Sequence, residues 1–101
     1  MPDVMVRYRV RPERVAENEE LVRAVYEELA ATRPEGLSYA TFKLPDGVTF
    51  VHVARHDQDN PLPKTRAFQR FQEAIRDRCD EPPVATELEE IGSYRMFGEE
   101  R

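Results

Sequence analysis

Few residues of this chain have a type and placement that carry chemistry. They are a histidine inside an apolar strand, an asparagine inside an apolar helix stripe, and several tyrosines. His52 falls in the run Val48 to Arg55, where an imidazole titrating near neutral pH can serve as a general base or donate to a substrate oxygen. A purely structural histidine, bonded to Thr41 or to a group of a partner chain, accounts for the same position, because buried polar groups are nearly always paired. Asn18 must either find a partner or line a cavity, since an unpaired amide in an apolar stripe is costly. It can hold a substrate carbonyl between helix and sheet, within reach of Tyr8 and Tyr26, or bond the backbone of a neighbouring strand. His52 and Asn18 are thus the catalytic candidates, and Tyr8, Tyr39, Phe68 and Phe71 the substrate-binding candidates. Tyr39 and Tyr94 can position a phenolic ligand. Phe68 and Phe71 suit an aromatic pocket, or simply core.

Other chemistries find little support. His52, His56, Asp57 and Asp59 suggest a metal only superficially: positions i and i+4 of a strand share a face but lie roughly 13 Å apart, so no metal site is expected. Cys79, beside Arg76 and Arg78, lacks the helix-N-terminal setting that activates a thiol and reads as core-edge packing. Arg7, Arg9 and Arg11 form a row that binds an anion or, more simply, pairs with Glu87, Glu89 or Glu90. No phosphate-binding glycine loop, nucleophile motif or zinc spacing is present.

Four extended segments and two amphipathic helices must position these residues. Val4 to Arg11 alternates with Val4, Val6, Tyr8 and Val10 on one face, a period-two strand signal. Pro12-Glu13 opens a helix to about Thr32, on which Val15, Val22, Val25, Tyr26 and Leu29 make a stripe containing Asn18. Arg33-Pro34-Glu35-Gly36 ends it. Leu37 to Leu44 and Val48 to Arg55 form a hairpin around a two-residue Asp46-Gly47 loop, which pairs Phe42 with Val51, Ala40 with Val53 and Thr41 with His52. A second helix follows to about Cys79, with Phe68, Phe71, Ile75 and Cys79 as its stripe. Pro82-Pro83 closes that connection, and a long last strand runs from about Ala85 to Phe97, with Gly92 marking a bulge.

This order predicts one α+β domain over residues 1–101: a ferredoxin-like βαββαβ unit with a four-stranded antiparallel sheet in the order 4-1-3-2. Two helices cover one sheet face. The more apolar set, Val4, Val6, Tyr8, Val10, Phe42, Val51 and Val53, is expected beneath them, leaving Arg7, Arg9, Thr41, Phe50 and His52 opposite. His52 and Asn18 then lie on opposite faces. A second copy covering the outer face predicts a homodimer, with the long fourth strand reaching the partner's edge.

With its opening strand Val6-Arg7-Tyr8-Arg9-Val10, its hairpin from Asp46 to Val53, Ala67-Phe68-Gln69-Arg70-Phe71 and Gly92-Ser93-Tyr94-Arg95, the chain resembles the antibiotic-biosynthesis-monooxygenase-like group of the dimeric α+β barrel superfamily. The resemblance implies a cofactor-independent monooxygenase, using neither metal nor flavin, on an aromatic or quinol-like metabolite. Haem-degrading relatives share an Asn, Trp and His constellation, and this chain has no Trp. The alternative is a non-catalytic dimer that binds a small ligand or has an accessory role. A regulatory ligand-binding domain is weaker, for no DNA-binding module accompanies it.

The remaining bounds are compositional. The 101 residues carry a net charge of -5, against a nucleic-acid partner, whose phosphates call for basic patches. No run approaches a membrane span. A single cysteine and an N-terminus without a secretory pattern point to the cytoplasm.

Overall fold

The computed structural model describes residues 3–57 and 59–96. Strand β1 (Asp3–Val10) leads through a 3-10 turn at Pro12–Arg14 into helix α1 (Val15–Thr32). Proline suits that turn because its φ is preset and its missing N–H would have had no helical partner. Asn18, Val22 and Val25 are the buried face of α1, spaced at i, i+4 and i+7. Arg33 ends the helix in the left-handed region, its N–H closing on the Leu29 carbonyl, and Pro34 prevents continuation.

Strands β2 (Leu37–Lys43) and β3 (Thr49–His56) form the expected hairpin in the expected register: Phe42 faces Val51, Ala40 faces Val53 and Thr41 faces His52. The turn differs. Leu44 bonds to Thr49 and Gly47 N–H closes on the Leu44 carbonyl, so the loop is the four residues Pro45 to Val48. Asp46 does not adopt the positive φ that a two-residue Asp-Gly turn requires. Its carboxylate instead accepts from the Thr49 hydroxyl and from the N–H groups of Val48 and Thr49, which holds it down at about pKa 2.

The sheet order is β2-β3-β1-β4, the expected 4-1-3-2 read from the other edge, and the fold is the ferredoxin-like α+β unit. The face assignment is corrected. β1 pairs with β3 so that Val6 faces His52 and Tyr8 faces Phe50. Val4, Val6, Tyr8 and Val10 therefore share a face with Phe50, His52 and Ala54, not with Phe42, Val51 and Val53. The helices cover the histidine side. On the outer side Phe42 and Val84 remain 49% and 61% exposed.

The second helix is two pieces. A 3-10 turn at Leu62–Lys64 precedes α2 (Arg66–Gln72), and α3 (Ile75–Arg78) follows a break at Ala74, whose φ is 56°. The Thr65 hydroxyl caps α2 by accepting from Phe68 N–H, and the Glu28 carboxylate of α1 accepts from the N–H groups of Arg66 and Ala67. A carboxylate at a helix N-terminus meets unpaired donors and the positive dipole end; here it also locks α2 onto α1 and so aims Phe68 and Phe71 at the sheet.

Strand β4 is Cys79–Leu88, earlier than expected. Pro82-Pro83 lies inside it, at the register shift between the Arg7–Val84 and Arg9–Glu81 pairs; a second shift follows at Asp80. Proline lacks a ladder donor, and an irregular edge strand is where it is tolerated. Residues 89–95, Gly92 included, lie outside any strand, so no bulge forms at Gly92 and no long strand reaches outward; Phe97 lies outside the described residues. Arg9 pairs with Glu81, whereas Glu90 is taken by Arg55, which also holds Asp3 in a bidentate pair.

Candidate active site

Between the sheet and α2–α3 lies a cavity of about 180 Å³. Val4, Val6 and Ala54 form its floor, and Phe68, Phe71 and Ile75 its opposite wall. Tyr8, Tyr39 and His52 gather at one part of the lining; His56, Asn60 and Gln72 add polar groups elsewhere. Ala54 is the reason for the space. It stands between His52 and His56 on the inner face of β3, opposite Tyr39 of β2 and Val4 of β1, and contributes only a methyl group.

A chain of hydrogen bonds runs along the cavity wall. Arg78 donates from Nε to Asn18 Oδ1 at 3.2 Å. Asn18 donates from Nδ2 to the Tyr8 hydroxyl at 3.0 Å. Tyr8 lies 2.7 Å from His52 Nε2, and His52 Nδ1 lies 2.5 Å from the Tyr39 hydroxyl and 3.2 Å from Thr41 Oγ1. Tyr26 joins at Thr41, 2.7 Å away.

Donor chemistry gives this chain one direction. Arginine only donates, so the oxygen of Asn18 faces Arg78 and its NH2 faces Tyr8. Tyr8, already accepting, places its own proton on His52 Nε2. The neutral imidazole then carries its proton on Nδ1 and donates to Tyr39 or Thr41. Burial holds His52 neutral, lowering its pKa to about 4. Tyr39 keeps its own proton, with the Thr41 hydroxyl beside it and the cavity in front of it. Burial also pushes the hydroxyls of Tyr8 and Tyr39 above the ordinary phenol range, so both remain protonated donors.

Arg78 anchors the chain. It is 1% exposed and has no carboxylate partner among the described residues. Its guanidinium instead donates to the carbonyls of Phe71 and Glu73 at the end of α2 and stands 5.4 Å over the Phe71 ring. The reversal at Ala74 lets α3 turn this cation back under α2, where it meets the negative end of the helix.

Six candidates from the sequence therefore meet in one place: His52, Asn18, Tyr8, Tyr39, Phe68 and Phe71. Asn18 is fully buried and bonds side chains, not a strand backbone, and it does not line the cavity. Tyr94 is 77% exposed and remote from the cavity, with Arg95 over its ring. Arg78 and the cavity role of His56 were missed. The spacing held a signal for Arg78, since 71, 75 and 78 continue the apolar stripe of the second helix. Among the described residues no three of His, Cys, Asp and Glu converge on a metal position, and no helix is long and apolar enough to cross a membrane. Burial raises the pKa of the Cys79 thiol, which fits packing and not reactivity.

No protein-family model matches the chain, and no curated protein matches it. Solved structures do. One described as an antibiotic biosynthesis monooxygenase superposes with a TM-score of 0.73 at 19% identity, over 91% of this chain and 100% of that one. Rv0793 from Mycobacterium tuberculosis gives 0.70 at 20% identity, over 91% and 96%. A mutant of SnoaB, described as a cofactor-independent oxygenase from Streptomyces nogalater, gives 0.65 at 14% identity, over 91% and 94%. At these identities the likeness establishes the fold that the sequence resemblance implied.

Proposed function

We propose that the protein is a cofactor-independent monooxygenase that binds a small aromatic or quinol-like molecule in the cavity and works as a homodimer. One observation carries this reading: a one-way donor chain starts at a buried cation and ends on the Tyr39 hydroxyl in a largely apolar cavity whose other polar groups, His56, Asn60 and Gln72, stand elsewhere in the lining. Such an end fits an oxygen on which negative charge develops, because donors fixed in a dry site stabilise an anion without reorganising. Each bond of the chain also polarises the next. An enolate or phenolate held there is electron-rich enough to reduce molecular oxygen. At an activated methylene, dioxygen adds to the carbanion and the hydroperoxide loses water. One oxygen atom ends in a carbonyl and the other in water, with no metal or flavin required.

The names of the structural neighbours support the same chemistry, and the half-exposed Phe42 and Val84 on the outer sheet face support a second copy lying there. One observation favours the alternative, a dimer that binds a small ligand without turnover: both nitrogens of His52 are occupied, which fits the structural reading of this histidine and not a general base. Oxygen uptake with anthrones and hydroquinones separates the two. Under the oxygenase reading, uptake depends on the protein, and Tyr39→Phe slows it about tenfold or more. Ligand binding without uptake selects the alternative. For the dimer, sedimentation should give twice the chain mass, and Phe42→Glu should give the single chain mass.

A further inference from the structure

Resting on the reading that a ligand oxygen sits against Tyr39, we propose that His56 is the base of this cavity. It takes a proton from the ligand carbon next to the carbonyl held by Tyr39. The protein would accordingly catalyse enolisation of a small aryl-substituted ketone even without oxygen.

His52 is excluded from that role by its two hydrogen bonds. His56 lies one alternation beyond Ala54 on the same inner face of β3 and lines the same cavity. Its Nδ1 is the one buried side-chain polar atom among the described residues without a hydrogen-bond partner. An imidazole nitrogen that no hydrogen bond engages is the one available to take up a proton. Buried polar atoms are rarely left this way, and where they are, function is a leading explanation.

The register sets the distance. Tyr39 stands opposite Ala54, so His52 and His56 are its two diagonal neighbours across the ladder, each about 7–8 Å away along the backbone. One diagonal is taken up by the Tyr39–His52 hydrogen bond. The other crosses open space above the Ala54 methyl. A carbonyl oxygen bonded to Tyr39 thus leaves its neighbouring carbon directed along the cavity, on the side of His56. The volume limits the ligand: an apolar cavity of about 150 Å³ holds benzene, so about 180 Å³ accepts one ring with short substituents.

The step balances without a co-reactant. The C–H bond breaks and its proton goes to the His56 lone pair. The electron pair moves into the carbonyl, whose oxygen becomes the enolate oxygen held by the Tyr39 O–H. Return of a solvent proton to carbon completes exchange.

Phenylacetone, a single ring with an activated methylene beside a ketone, is the probe. Its methylene exchange in D2O is followed by proton NMR without oxygen, and saturation transfer reports binding. The wild type should bind it and exchange the methylene faster than buffer. His56→Ala and His56→Gln should bind it yet lose that rate about tenfold or more, with folding checked by circular dichroism. Added imidazole should restore exchange in His56→Ala, which a merely structural role would not produce. Binding without catalysed exchange, or His56 variants at the wild-type rate, overturns the proposal and leaves the cavity reading intact. Absence of binding overturns both.

Discussion

Tyr8 and Tyr39 both bond the ring of His52, yet the same substitution should cost very different amounts at the two positions. Tyr8→Phe keeps the ring in its stack on Phe50, 5.6 Å between centroids, and deletes only the oxygen. That oxygen serves two buried groups, the Asn18 NH2 and His52 Nε2, at 3.0 and 2.7 Å. Neither has another partner for the freed valence. A buried polar group left unpaired costs about 1–3 kcal/mol; two of them, less the desolvation that the phenol no longer suffers, give roughly 2–4 kcal/mol. At Tyr39→Phe, His52 Nδ1 keeps Thr41 Oγ1 at 3.2 Å, so the loss should stay under about 1 kcal/mol. Urea unfolding followed by far-ultraviolet circular dichroism measures both. With a denaturant slope of about 1–3 kcal/mol/M, the Tyr8→Phe midpoint should fall by roughly 1–2 M and the Tyr39→Phe midpoint by much less. Equal midpoints for the two variants would refute the one-way chain, because they would mean that Tyr8 is not the shared partner of Asn18 and His52.

Three further outcomes follow from the same geometry. Burial lowers the His52 pKa from 6.5 to about 4, so between those values the unfolded chain binds more protons than the folded one, and stability falls as pH falls through that window. The wild type should be about 2 kcal/mol less stable at pH 5 than at pH 7, and His52→Gln should lose most of this difference; an unchanged pH dependence in that variant would place the titration elsewhere. Ala54→Leu should fill the cavity, abolishing ligand binding by calorimetry while leaving the melting temperature equal or higher; retained binding would mean the ligand sits elsewhere. Gly36→Ala should destabilise more than Gly47→Ala. Both glycines have positive φ, 78° and 79°, but a Cβ on Gly36 would stand 2.8 Å from an Asp57 carboxylate oxygen, whereas Gly47 faces open space. Thermal melts in which Gly47→Ala is equally costly would contradict this.

The elements, their order and the hairpin register are legible along the chain. Each of these rests on neighbours close along the chain: the period of Val4 to Val10, the stripe Asn18, Val22 and Val25, and turn residues that bring Phe42 opposite Val51. Departures from these local rules are themselves local. By itself Pro82-Pro83 signals a stop, yet an edge strand tolerates prolines at a register shift. The helix break at Ala74 had no glycine or proline to announce it.

Which face of the hairpin meets the helices is set by packing between distant elements, and this is the choice that makes the site. A shift of one residue between β1 and β3 exchanges the faces of the hairpin, and the pairing within the hairpin is the same either way. A count of apolar residues favoured Phe42, Val51 and Val53 for the core. The molecule turns Phe50, His52 and Tyr39 toward the helices instead: Phe50 stacks on Tyr8, and the polar atoms of His52 and Tyr39 are satisfied through Tyr8, Asn18 and Arg78. Those partners lie as far as 60 residues apart along the chain. A polar group is expensive to bury alone and nearly neutral when its partners are buried with it, and that mutual satisfaction exists only once the strands and helices have come together.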